Sequence, residues 1–102
     1  MEIEELKIRI ESFSELEKNW NGYDADKITI QSIAVANSVL DSISKTTDIN
    51  SISVFPMSNG GIQFEIGDYK EIEILNYEVT EIDFDSKYNV LNELKSVWKE
   101  NI

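Results

Sequence analysis

The stretch Ile62-Gln63-Phe64-Glu65-Ile66-Gly67-Asp68-Tyr69-Lys70-Glu71-Ile72-Glu73-Ile74 decides the fold. Apolar residues take every second position on either side of Gly67, which is the period of a half-buried strand. Ile62, Phe64 and Ile66 line one face of one strand, and Ile72 and Ile74 line the same face of the next. Gly67-Asp68-Tyr69 reads as a three-residue turn. That length sets the register, placing Phe64 opposite Ile72 and Glu65 opposite Glu71. One face is apolar and the other carries carboxylates, the pattern of an antiparallel sheet covered on one side only.

Upstream, Ser58-Asn59-Gly60-Gly61 is a hairpin signal, and Ile52 and Val54 alternate with Ser51 and Ser53 to form the preceding strand. Pro56 confines that strand to an edge or marks its end. Downstream, Asn76 and Tyr77 lie near another turn. Ile82 and Phe84 suggest a fourth strand, with Val79 out of phase.

Helical spacing flanks this region. From Ile3 to about Lys18, Ile3, Leu6, Ile10 and Phe13 recur at three- and four-residue steps, and Leu16 and Trp20 continue the stripe. A second helix runs from about Ile30 to Ser44. Thr29 is its N-cap, Ile28 and Ile33 stand where a hydrophobic staple puts them, and Ile33, Ala36, Leu40 and Ile43 mark its buried face. From about Lys87 to Glu100, Tyr88, Leu91, Leu94 and Trp98, broadened by Val97, predict a third helix. The expected fold is α+β: two N-terminal helices, a four-stranded antiparallel meander, and a C-terminal helix packed on one sheet face. At 102 residues, positions 1–102 make a single domain.

Composition narrows the chemistry. The chain has 9 Lys+Arg against 20 Asp+Glu, a formal charge of −11, with 41 % hydrophobic and 10 % aromatic residues. That apolar content supports a core, unlike an acidic disordered tail. The absence of Cys excludes disulfides and thiolate chemistry, and the absence of His removes the commonest general base and metal ligand. There is no P-loop lysine after Gly60-Gly61, and no histidine for a Ser-His-Asp triad. Paired carboxylates can hydrolyse glycosides, but no recognisable pair stands out here. The expectation is a non-enzymatic protein without a cofactor or metal. A negative surface argues against direct nucleic-acid or anionic-membrane binding. No apolar run is long enough for a transmembrane helix. Met1-Glu2-Ile3-Glu4-Glu5 is the opposite of a secretory n-region, so a cytoplasmic location is expected.

The acids are concentrated. Residues 65–85 carry eight of them and one base, Lys70. If Ile72 pairs with Ile82, Glu73 falls opposite Glu81 and Glu71 opposite Asp83. The outward face then presents Glu65, Glu71, Glu73, Glu81 and Asp83, with Gln63 at its margin. Like charges directly opposite on a sheet destabilise it. Either this face meets a basic partner, or it is an ordinary solvated face that also discourages strand aggregation.

The loop Asn19-Trp20-Asn21-Gly22-Tyr23-Asp24-Ala25-Asp26-Lys27 is turn-rich, yet carries two large aromatics. With Ile28-Thr29 it resembles a small, uncharacterised bacterial domain family. That family is marked by a tryptophan, an acidic or amide residue, Gly-Tyr, a small residue and Ala, followed by a short connection to a capped helix. Trp20, Gly22, Tyr23, Ala25, Ile28 and Thr29 fit the pattern. Asn21, Asp24 and Lys27 depart from it, standing where Asp, Gly and Pro are usual. The strand sequences 59–65 and 71–74 are similar to the family's paired strands. The resemblance implies a fold unit of bacterial or phage-like origin and no particular activity. Physically, the loop has two readings. Trp20 and Tyr23 plug the gap between the first helix and the sheet while Asn21, Gly22 and Asp24 shape the turn. Alternatively, Asp24 and Asp26 with Asn21 form an oxygen-rich site for a hard cation or polar ligand.

The leading functional expectation is a small acidic binding module that docks and blocks a basic protein, in the manner of an inhibitor, antitoxin, immunity or phage anti-defence protein. The alternative is an accessory domain that assembles with itself or a neighbouring subunit, its acidity serving solubility. A homodimer through the terminal helix belongs to that alternative. A cation or small-ligand binder using Asp24 and Asp26 is the third.

Overall fold

The computed structural model describes residues 3–68 and 70–83. Two helices, α1 (Ile3–Ser12) and α2 (Ile30–Ile43), precede four strands: β1 (Ile52–Pro56), β2 (Ile62–Ile66), β3 (Lys70–Leu75) and β4 (Glu78–Asp83). The sheet is an antiparallel meander in the order β1-β2-β3-β4. The α+β expectation holds for these elements. The helix expected from about Lys87 to Glu100 lies outside the described residues.

The core sits between the two helices and one face of β1–β3. Ile52, Val54, Ile62, Phe64, Ile66, Ile72 and Ile74 meet Leu6, Ile10, Phe13, Ile28, Ile33, Ala36 and Leu40, all of them buried. α1 packs against β1, and α2 against β2 and β3. The β2–β3 register matches the expectation, with Phe64 opposite Ile72 and Glu65 opposite Glu71.

α1 is shorter than the apolar stripe suggests. It stops at Ser12, passes through a 3-10 turn at Phe13–Glu15, and is extended at Leu16. Ser12 Oγ donates to Arg9 O (2.6 Å) and Ser14 Oγ to Glu11 O (2.8 Å), so hydroxyls satisfy carbonyls that further helix would have used. Trp20 therefore lies beyond the helix, in the loop.

The fourth strand is one residue out of the expected register. Ile72 faces Glu81, Ile74 faces Val79, Glu73 faces Thr80 and Glu71 faces Ile82. The cause is the turn. Leu75 pairs with Glu78, which leaves only Asn76 and Tyr77 between the strands, and Asn76 takes a left-handed φ of 54°. A two-residue connection shifts parity by one relative to the expected pairing, and a one-residue shift moves every side chain to the other face. Val79 and Glu81 share the helix-covered face, and Asp83 sits at the register position opposite Lys70. Ile82 joins the other face. Phe84 lies outside the described residues.

α2 is tied to the sheet at its first turn. Thr29 Oγ1 accepts from Ser32 N (3.1 Å), the expected cap, and donates to Ser32 Oγ (2.6 Å). Ser32 is fully buried, and its Oγ accepts Asn76 N from the β3–β4 turn (2.8 Å). Replacing Ser32 by Ala leaves that turn amide without its acceptor. We expect a loss of about 1–3 kcal/mol, read as a lower urea midpoint at unchanged slope.

Candidate functional site

The face of the sheet turned away from α1 and α2 carries Ser53 and Phe55 from β1, Gln63 and Glu65 from β2, Glu71, Glu73 and Leu75 from β3, and Glu78, Thr80 and Ile82 from β4. Glu65 and Glu71 stand directly opposite each other, as the sequence predicts. Gln63 resolves their conflict. Its amide nitrogen donates to Glu71 Oε1 (2.6 Å) and, at 3.3 Å, to Glu65 Oε1. Gln63 is thus central to the carboxylate face and not at its margin.

The expected five-residue patch is only partly assembled. Glu65 and Glu73 are half-buried on the outer face. Glu71 is there too, but only 8 % exposed, and so offers little carboxylate surface to a partner. The shifted register carries Glu81 to the opposite face and pairs Asp83 with Lys70, so the expected Glu73–Glu81 and Glu71–Asp83 pairings do not occur. Glu78 takes their place. It lines a cleft of about 170 Å³ at the turn end of the face, with Glu73, Thr80, Asn59, Met57, Ile74 and Leu75. Two carboxylates above apolar Met57 and Leu75 suit a long cationic side chain, whose methylenes need apolar contact and whose head needs a charge partner. Glu78 was missed because its face depends on the length of the Asn76–Tyr77 turn.

The 19–27 loop is closed on itself. Asn19 N donates to Ala25 O (2.7 Å) and Gly22 N to Asn19 O (3.0 Å). Asn19 Oδ1 accepts Asp24 N (2.7 Å), and Asn21 Oδ1 accepts Tyr23 N (2.8 Å) and Ala25 N (3.2 Å). Three residues take positive φ here: Asn19 (70°), Gly22 (78°) and Asp24 (62°). Asn and Asp tolerate that conformation better than most residues, which explains why an asparagine-rich segment can turn so tightly. Trp20 packs against the core, and its Nε1 donates to Asp26 O (2.8 Å). Tyr23 does not share the plug: it is 88 % exposed. The buried apolar residue of the loop is Ala25 instead.

The Asp24 and Asp26 carboxylates do face a cation, namely Lys18. Its Nζ lies 3.3 Å from Asp24 Oδ1 and 3.5 Å from Asp26 Oδ1. Hydrogen bonding to Asp24, then the charges of Asp24 and Asp26, hold the Lys18 ammonium above the usual lysine range. Asn21 Oδ1, the third oxygen of the expected cation site, is directed at two backbone N–H groups. Among the described residues, no group of three or more Asp or Glu is arranged to hold a metal ion.

No known protein family, curated protein or solved structure matches the chain. The likeness of the loop to a bacterial domain family therefore rests on the residues quoted above.

Two expectations follow. Asn21→Ala should cost about 1–3 kcal/mol by leaving loop amides unpaired, whereas Tyr23→Ala should stay within about 0.5 kcal/mol of wild type in the same denaturation experiment. Gln63→Ala should destabilise by about 1–3 kcal/mol, because two facing carboxylates lose the amide between them, while Glu65→Gln should be neutral or stabilising. Equal losses in Gln63→Ala and Glu65→Gln would contradict that account.

Proposed function

We propose that the chain is a small, acidic, non-enzymatic protein-binding module that docks a basic protein and blocks it, as inhibitors, antitoxins, immunity proteins and phage anti-defence proteins do. The observation that carries this reading is the outer sheet face. There Glu65, Glu71, Glu73 and Glu78 are gathered on two central strands and one edge strand, and a glutamine is used to make two of them compatible. Like charges directly opposite on a sheet repel, and the Gln63 amide offsets that cost here. A face held in this state has a use for its charge. Glu65, Glu73 and Glu78 are the contact residues in this reading, with the cleft at the turn end receiving a lysine or arginine side chain of the partner. Glu71 supports them from beneath.

A net charge of −11 steers a cationic partner toward the module and can imitate a phosphate backbone. In this reading, the C-terminal helix completes the module on the other side of the sheet and leaves the carboxylate face open. The module works in the cytoplasm, and the resemblance of the 19–29 loop would place it in a bacterial or phage setting.

The test uses two variants of equal charge. Glu65→Gln/Glu73→Gln lowers the charge of the outer face, and Glu4→Gln/Glu5→Gln removes the same charge from α1. Both are compared with wild type for binding of partners captured from the host. We expect the sheet variant to associate about tenfold more slowly at low salt, with dissociation little changed, and the helix variant to behave nearly as wild type. The difference should shrink as salt rises. Equal behaviour of the two variants would reduce the face to a solvated surface, and salt-insensitive self-association would favour the accessory-domain alternative.

A further inference from the structure

The two edges of the sheet are not equivalent. At β1, Val54 O accepts Arg9 Nε (2.8 Å) and Pro56 has no N–H to give, so little of that edge is left for another strand. β4 carries neither device. It holds no proline, glycine or lysine, and among the described residues no strand lies beyond it. Glu78, Val79, Thr80 and Glu81 are exposed, and Ile82 is half-buried.

Alternation identifies which β4 backbone groups are left over. Met57 N bonds Gly61 O (2.8 Å), so β2 meets β1 through its odd-numbered positions and turns Ile62, Phe64 and Ile66 toward β3. Their partners there are Ile74, Ile72 and Lys70. β3 therefore turns Glu71, Glu73 and Leu75 toward β4, where they meet Ile82, Thr80 and Glu78. The N–H and C=O groups of Val79 and Glu81 point away from the sheet. They stand two residues apart, the spacing at which an antiparallel strand exchanges its bonds.

We propose that this edge of β4 receives an extended basic segment of the partner protein as a fifth strand, bonded to Val79 and Glu81. The inference rests on the reading of the chain as a module for a basic protein, and names the element of that protein it holds. Charge selects the occupant. β4 carries Glu78 and Glu81 and no base, so a second copy pairing edge to edge sets acids against acids. A strand with lysine or arginine at alternate positions has the opposite effect. Its outer-side chains meet Glu78 and reach the cleft that Glu78 shares with Glu73, their methylenes passing over Leu75 and Met57. Backbone pairing supplies affinity, and the alternate side chains supply selectivity.

The test titrates the full chain with a capped peptide in which lysine alternates with threonine and valine, followed by amide NMR and hydrogen exchange. In the free chain the Val79 and Glu81 amides should exchange faster than those of Thr80 and Ile82, and the peptide should slow them about tenfold. N-methylating one alternate set of peptide residues should weaken binding about tenfold, and methylating the other set should leave it nearly unchanged, because only one set turns its N–H groups to β4. Val79→Pro should weaken binding by a similar factor with the β3–β4 ladder intact, since the N–H it removes lies outside that ladder. If this variant does not fold, the two methylated peptides decide the matter on the unaltered chain. Equal effects of the two methylation patterns would overturn the proposal, as would equal binding of a peptide with glutamate in place of lysine. Val79 and Glu81 amides already protected in the free chain would also overturn it: the edge is then filled by the chain itself or, where protection grows with concentration, by a second copy. Peptide shifts confined to Gln63, Glu65 and Glu73 would overturn strand addition and leave the basic-partner reading standing. Absence of any shift at millimolar peptide would overturn it too, and the partner reading would then rest on the sheet and helix charge variants, which do not depend on how the partner is held.

Discussion

Thr29 holds the helical layer to the sheet. Its backbone N–H donates to Gly60 O in the β1–β2 turn (3.0 Å), and its hydroxyl caps α2 and donates to Ser32 Oγ. Ser32 in turn accepts Asn76 N from the β3–β4 turn. Both hairpin turns at one end of the sheet are therefore fastened to one helical turn, through groups that would otherwise be unsatisfied at a helix N-terminus. Asp26 N to Ser58 O (2.8 Å) adds a second stitch. The arrangement demands close backbone approach. A Cβ on Gly60 would lie 3.0 Å from Lys27 O, and one on Gly61 would lie 2.2 Å from Ile74 O. The glycine pair thus serves a tertiary contact as well as the hairpin.

What could be read from the sequence followed from how local its determinants are. The β2–β3 pairing was legible because apolar alternation and a three-residue turn agree on one parity. The α2 cap was legible because Thr29 precedes its helix directly. β4 was misread because Val79 and Ile82 have opposite parity, and only the turn length decides between them. Two residues, with Asn76 in a left-handed conformation, favour Val79. Ser32 gave no signal, since a serine in an apolar helix face looks like a defect until its partner, 44 residues away, is known. The candidate site inherited these limits. Glu65 opposite Glu71 was predictable, whereas the removal of Glu81 from the face and the arrival of Glu78 depended on the turn.

The loop shows the same division. Asn19 and Asn21 have the residue types that bond turning backbone, and they do so. The aromatic pair invited one explanation for both rings, yet Trp20 carries an indole N–H that reaches Asp26 O and a surface that meets the core, while Tyr23 stands clear. One N–H donor at the right distance separates the two.

The sheet's exposed surfaces differ in chemistry, and this limits what each can recruit. The open edge of β1 is a weak template for another strand. Met57 N bonds Gly61 O and Gly67 N bonds Ser51 O, so alternation turns the polar groups of Val54 and position 56 outward. Val54 O accepts Arg9 Nε (2.8 Å), and Pro56 has no N–H to offer. Arg9 is held there by the rings of Phe13 and Phe55, 5.5 and 5.8 Å from its guanidinium carbon. Strand addition at β1 is thereby discouraged, and recognition falls to the outer face and the edge of β4. The outer face, with Glu65, Glu73 and Glu78, rewards positive charge.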